Sequence, residues 1–99
     1  MTERKIALIT GGSRGIGLAC AKELAKAGCD IIINDICDAE KAQPALDEIK
    51  ALGVNAYFYS FDVSNYDAVK ENVDKMIAEH GKIDILLNNA GITRDGLFL

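Results

Sequence analysis

The stretch Thr10-Gly11-Gly12-Ser13-Arg14-Gly15-Ile16-Gly17 decides the fold of this 99-residue chain. It follows a continuous apolar run at 5–10, which is typical of a strand covered on both faces. From Ile16 to Ala27, apolar residues recur at three- and four-residue spacing, which predicts a helix. A glycine-rich turn between such a strand and helix presents free backbone N–H groups, and these can bind a diphosphate.

The alternation of strand and helix continues along the chain. Further strands are predicted at 30–35, 54–61 and 83–88, and further helices at 38–52 and 64–80. Pro44 leaves two alternatives for the second helix, which either starts near Gln43 or is longer and kinks at the proline. Ser64 is predicted to cap the third helix. The predicted inner face of that helix consists of Val69, Val73, Met76, Ile77 and His80.

This order of elements predicts an α/β fold, the N-terminal part of a doubly wound parallel sheet with three helices. Right-handed crossovers give the strand order 3-2-1-4. Ligands bind such sheets where the strand order reverses, beside the carboxyl ends of the first and fourth strands. The segments Gly11–Gly17 and Asn88–Gly91 are both expected there.

Charge and composition argue against several classes of partner. Fifteen acidic and eleven basic residues give a net charge of −4, so the chain lacks the basic face of a nucleic-acid or anionic-membrane binder. Cys20, Cys29 and Cys37 form no C-x-x-C pair, which predicts reduced, mostly buried thiols and no metal site. Without an apolar leader or a membrane-length apolar run, the expected location is the cytoplasm.

Three motifs, in this order, resemble the short-chain dehydrogenase/reductase family. They are Thr10-Gly-x-x-x-Gly15-x-Gly17, Asp62-Val63 and Asn88-Asn89-Ala90-Gly91. The continuation Gly91-Ile92-Thr93-Arg94-Asp95 is most similar to the 3-oxoacyl-[acyl-carrier-protein] reductase branch, with the acetoacetyl-CoA reductases second. The resemblance implies a Rossmann fold that binds the dinucleotide NAD or NADP.

The resemblance also implies roles for individual residues. Asp62 would accept a hydrogen bond from the adenine amino group, with Val63 beside it. Asn89, Ala90 and Gly91 would line the adenosine ribose and the wall of the crevice. The cofactor-binding residues expected in the diphosphate loop are Gly11, Gly12, Ser13, Arg14, Gly15, Ile16 and Gly17.

Two residues favour different dinucleotides. In this family a basic residue at the position of Arg14 often pairs with the 2′-phosphate of NADP. A carboxylate at the position of Asp35, at the end of the second strand, accepts hydrogen bonds from the ribose of NAD and repels that phosphate. Because a like-charge clash costs more than one exposed arginine contact returns, the sequence slightly favours NAD.

No catalytic residue is assigned. Reductases of the resembled family use a serine and a Tyr-x-x-x-Lys pair, and both are expected beyond Leu99. Tyr66 and Lys70 have that spacing but are expected on a solvated helix face. Residues 1–99 are therefore predicted to be one partial NAD(P)-binding domain, and an acyl-carrier-protein or CoA thioester would be the substrate only of a full-length form. The alternatives are a stand-alone nucleotide-binding module and a fragment that forms homo-oligomers through an exposed strand edge at Ile83–Leu87.

Overall fold

The computed structural model of the protein describes residues 4–89, in which parallel strands alternate with helices. The elements are β1 (Ile6–Thr10), α1 (Gly15–Lys26), β2 (Asp30–Asp35), α2 (Ala39–Lys50), β3 (Ala56–Ser60), α3 (Tyr66–His80) and β4 (Ile85–Asn88). The strands pair in parallel in the order β3-β2-β1-β4. The predicted fold class and strand order are therefore confirmed.

Alternate side chains of the central strand β1 enter two separate core layers. Ala7 and Ile9 pack in the layer that α1 and α2 cover, while Ile6 and Leu8 pack in the layer that contains Met76 of α3. All five residues of β1 are buried, as the unbroken apolar run predicts. Covering both faces of β1 fixes its carboxyl end, and with it the start of the glycine loop.

The strand β4 forms one edge of the described sheet and pairs with β1. Its start is fixed by Asp84, whose Oδ2 accepts a hydrogen bond from the Ile6 N–H over 2.8 Å. Leu86 is 63% exposed, so this edge carries an apolar side chain in solvent. Such an edge is open to further packing.

The structure resolves the question that Pro44 raised. Helix α2 begins at Ala39, with Asp38 as its N-cap residue, so it does not start near Gln43. Pro44 lies in the second turn, where the absence of an N–H leaves the Glu40 carbonyl without its helical donor. Because Glu40 is exposed, water can bind that carbonyl.

Two predictions for α3 are wrong. The cap is Asn65, whose Oδ1 accepts a hydrogen bond from the Ala68 N–H over 3.1 Å. Ser64 lies instead inside the preceding turn, in which the Asn65 N–H donates to the Asp62 carbonyl and Ser64 donates to the Asp62 carboxylate. Ile77 is 43% exposed and lies outside the inner face, on which Met76 is fully buried. The capping residue is therefore one position later than the sequence pattern suggests.

Within residues 4–89, the cysteines form no disulfide and no cluster of side chains could bind a metal ion. Cys29 is buried, Cys20 and Cys37 are partly buried, and all three are free thiols. No group of three or more His, Cys, Asp or Glu side chains in this range could hold a metal ion. No helix within it has the length and apolar character to span a membrane.

Candidate dinucleotide site

A cleft of about 420 Å³ opens at the carboxyl ends of the strands, where the strand order reverses. Many of the predicted site residues line it. The glycine loop contributes Gly11, Arg14 and Gly15, and the strand ends contribute Asp35, Asp62, Val63 and Asn89. The structure thus brings together residues that lie far apart in the sequence.

The conformation of the glycine loop requires glycine. Gly11 and Gly15 have φ angles of 65° and 61°, in the left-handed region that side chains other than glycine rarely adopt. A Cβ atom on Gly17 would lie 2.2 Å from the Gly11 carbonyl oxygen, so α1 packs against the loop without space for a side chain.

The start of α1 has the properties of an anion site. The first helical hydrogen bond runs from the Leu18 N–H to the Arg14 carbonyl, which leaves the N–H groups of 15–17 as first-turn donors. No acidic residue lies in this first turn, so no carboxylate there neutralises the positive end of the helix dipole or competes with a bound anion. The open space beside Gly15 and these donors together fit a diphosphate.

Four predicted loop residues do not line this cleft, and one of them, Ser13, lines an adjoining cleft instead. Gly12 is buried, donates its N–H to the Asn34 carbonyl over 3.1 Å, and would carry a Cβ only 3.0 Å from Ile33. Gly17 is also buried behind the loop, and Ile16 is 76% exposed in a separate apolar groove beside β4. Gly12 and Gly17 therefore shape the loop rather than face its cleft.

The Asp35 carboxylate is held in place at the end of β2. Its Oδ2 accepts hydrogen bonds from the Ser13 hydroxyl and from the Ser13 N–H, the latter over 3.3 Å. Its Oδ1 accepts a hydrogen bond from the Ile36 N–H over 2.9 Å. The loop and the strand thus fix the carboxylate at the cleft that Asp35 lines.

Asp62 presents an ionised carboxylate after β3. Its Oδ1 accepts hydrogen bonds from the Ser64 N–H and hydroxyl over 2.9 Å and 2.8 Å. These hydrogen bonds, the backbone one first, hold the pKa of the Asp62 carboxyl below its ordinary value. The second oxygen, Oδ2, is the one left to accept a hydrogen bond from a ligand amino group.

Two asparagine side chains fix the strand ends: that of Asn34 joins β2 to the end of β3, and that of Asn89 joins the end of β4 to the glycine loop. Asn34, which is 1% exposed, donates to the carbonyls of Tyr59 and Phe61 over 3.3 Å and 3.0 Å. Asn89 donates from Nδ2 to the Gly11 carbonyl over 3.1 Å. Asn34 is not among the site residues predicted from the sequence, although a polar residue in an apolar strand was a usable signal. The predicted residues Ala90 and Gly91 lie outside the described residues.

Tyr66 and Lys70, which have Tyr-x-x-x-Lys spacing, lie on the surface. Tyr66 is 76% exposed, and Lys70 forms an ion pair with Asp74 over 3.2 Å. Neither residue lines the cleft. This placement agrees with a solvated helix face.

Comparison with known proteins then places the chain among its relatives. Residues 5–99 match the family model for short chain dehydrogenase. The chain belongs to the short-chain dehydrogenase/reductase family. The resemblance of the three sequence motifs is thereby confirmed.

Its relatives include a named reductase, and the similar solved structures include one complex with NADP and one with NAD. The 3-oxoacyl-[acyl-carrier-protein] reductase FabG of Staphylococcus aureus (strain Mu50) is 41% identical over 99 residues, which are 100% of this chain and 40% of the relative. A metagenomic short-chain oxidoreductase in complex with NADP is 38% identical, with a TM-score of 0.82 over 89% of this chain and 39% of that one. Carveol dehydrogenase from Mycobacterium avium in complex with NAD is 34% identical, with a TM-score of 0.79 over 88% and 35%. The chain therefore spans about two fifths of the length of its curated relatives.

Proposed function

We propose that this chain is the dinucleotide-binding portion of an NAD(P)-dependent oxidoreductase that reduces a 3-oxoacyl thioester. The observation that carries the proposal is the cleft at the sheet's reversal point, which combines a diphosphate-type glycine loop with two carboxylates. When bound, the dinucleotide supplies the hydride for reduction of a carbonyl group. The residues described here bind and orient it.

Each part of the cleft fits one part of the dinucleotide. The α1 start would hold the diphosphate, Asp35 the adenosine ribose, and Asp62 the adenine amino group. Ala90 and Gly91, with Asn89, complete the proposed list of cofactor-binding residues at the wall of the crevice. The substrate class rests on the 41% identity to the FabG reductase, and the acyl group would be carried by acyl-carrier protein or CoA.

We further propose that NAD binds more tightly than NADP. Asp35 is fixed by three donors at the position where a ribose hydroxyl can donate to it. A 2′-phosphate at the same position would meet a like charge. Arg14 lines the cleft as well and reduces the difference.

Calorimetric titration with NAD and NADP tests this proposal. Asp35→Asn is expected to weaken NAD binding about ten-fold, because it removes a charged acceptor, and to strengthen NADP binding. Asp74→Asn, on the exposed face of α3, is the matched control and should change neither affinity. Tighter binding of NADP than of NAD by the unaltered chain would refute the assigned preference, and no binding of either would refute the site. The substrate class is tested separately by supplying acetoacetyl-CoA with NADH to any longer form that carries this chain.

A further inference from the structure

We propose that Ser64 is a positioning residue that makes the dinucleotide cleft selective for adenine over purines that lack a 6-amino group. It would do so by holding the Asp62 carboxylate in one orientation, with a single oxygen left for the base. This inference rests on the proposed function, in which Asp62 accepts a hydrogen bond from the adenine amino group. It assigns a role to a serine that the sequence pattern predicts only as a helix cap.

Ser64 donates twice to the same carboxylate oxygen. Its backbone nitrogen and its hydroxyl oxygen lie 2.9 Å and 2.8 Å from the Asp62 Oδ1, and both groups donate to it. Within residues 4–89, no basic side chain forms an ion pair with Asp62. Oδ2 is thus the oxygen left to accept from a ligand, and the two donors on Oδ1 keep the carboxylate from rotating.

The turn that carries Asp62 and Ser64 is itself fixed to the fold. The Asn65 N–H donates to the Asp62 carbonyl over 3.0 Å, which closes the turn, and Asn65 then caps α3. Between them, Val63 packs against the core layer that contains Met76. The backbone on both sides of Ser64 is therefore held without the Ser64 hydroxyl, and the effect of that hydroxyl falls on the orientation of the carboxylate.

The surroundings of Asp62 suit a purine ring. Asp62 lines the first cleft together with Ile36 and Val63, which give the cleft apolar surface. A purine packed there loses contact with water, so its amino group needs an acceptor inside the cleft. A carboxylate oxygen that is already oriented provides this acceptor without the entropy cost of ordering it on binding. A base without the amino group leaves Oδ2 without a donor, and the orientation of Asp62 thereby becomes a selectivity for adenine.

Two nucleotides that differ only in the 6-amino group provide the test. The chain is titrated by calorimetry with ADP and with purine riboside 5′-diphosphate, in which a hydrogen atom replaces that group. We expect the unaltered chain to bind ADP about ten-fold more tightly, and Ser64→Ala to reduce this ratio to about three. The reduction should come from weaker ADP binding, with the affinity for purine riboside diphosphate unchanged. Ser64→Thr keeps the hydroxyl and should restore most of the ratio.

Ser60→Ala is the matched control. Ser60 is also exposed and lies just before Asp62 in the sequence, but its hydroxyl donates to the Cys37 carbonyl over 3.1 Å. Its substitution should change neither affinity. Because Ser64 is exposed and the turn closes through Asn65, the urea midpoint of Ser64→Ala should match that of the unaltered chain.

The outcomes separate this inference from the proposed function. Equal weakening of both nucleotides in Ser64→Ala, with or without a lower urea midpoint, or no weakening of either, would overturn the role of Ser64 and leave the dinucleotide site intact. The same loss of selectivity in Ser60→Ala, or its persistence in Ser64→Thr, would overturn that role too. Equal affinity of the unaltered chain for the two nucleotides would overturn both this inference and the adenine contact of Asp62, but not the diphosphate site. Failure of the unaltered chain to bind ADP would refute the dinucleotide site and this inference together.

Discussion

The Gly17→Ala substitution tests whether loop packing or helix propensity determines the stability of the chain at this position. Gly17 lies in the first turn of α1, where alanine would by itself stabilise the helix by about 1 kcal/mol. In the fold, however, the new Cβ would lie 2.2 Å from the Gly11 carbonyl oxygen and 2.8 Å from the Asn89 Nδ2. Both atoms belong to groups that already bind each other. We therefore expect Gly17→Ala to destabilise the chain.

The magnitude follows from the atoms that must move. Forcing a methyl group against backbone costs about 3 kcal/mol, and losing the Asn89–Gly11 hydrogen bond costs about 1 kcal/mol. After the gain in helix propensity, the net loss is about 3 kcal/mol. This corresponds to a urea midpoint lower by about 1–3 M, which circular dichroism measures.

Gly28→Ala is the control for this measurement. Gly28 follows α1 with a φ of 102°, and a Cβ there would contact nothing within 4 Å, so only backbone strain of about 1–2 kcal/mol is expected. The predicted order of stability is the unaltered chain, then Gly28→Ala, then Gly17→Ala. An increase in the urea midpoint of Gly17→Ala would refute the proposed packing, because it would show that helix propensity outweighs contact with the loop.

Two further predictions concern the start of β4 and the core under α3. The hydrogen bond from the Ile6 N–H holds the pKa of the Asp84 carboxyl below its ordinary value, so its stabilisation is present at neutral pH and is lost as the pH falls through the lowered pKa. Asp84→Asn should therefore lower the urea midpoint at pH 7 and have a smaller effect below about pH 4; an equal effect at both would contradict this. Met76→Ala should lower the free energy of unfolding by about 2–4 kcal/mol because Met76 is fully buried. Ile77→Ala should lower it less, because Ile77 is 43% exposed. Equal losses of unfolding free energy in chemical denaturation would contradict the inner face that the structure shows for α3.

The fold was predictable because its local signals agree with one another. The apolar run of β1, the glycines and the amphipathic spacing of α1 each favour the same βα unit. Parallel pairing then leaves few possible strand orders, since crossovers are right-handed. The error in the cap of α3 arose where a turn and a helix start adjoin. The turn from Asp62 to Asn65 includes Ser64, so the helix begins one residue later and Asn65 caps it.

The site was predicted less completely than the fold, because its details depend on contacts between distant segments. The spacing of the glycines does not show that Gly12 faces Ile33 and Asn34 rather than the cleft. In the same way, the position of Lys41 in the sequence gives no sign that α2 brings it to a cleft that Arg14 also lines. Both facts follow from the packing of β2 and α2 around the loop.

The contacts of β4 make the glycine loop dependent on a strand that lies more than seventy residues away in the sequence. Asn89 donates to the Gly11 carbonyl, and the Thr10 hydroxyl lies 3.2 Å from the Asn88 Oδ1. Because Gly11 also contacts α1 at Gly17, the Asn89 amide joins β4 to the start of the helix that would bind the diphosphate. Asn89 therefore does more than line the cleft. It holds in place the backbone carbonyl against which the start of α1 is packed, so binding of the proposed dinucleotide should depend on the pairing of β4 with β1.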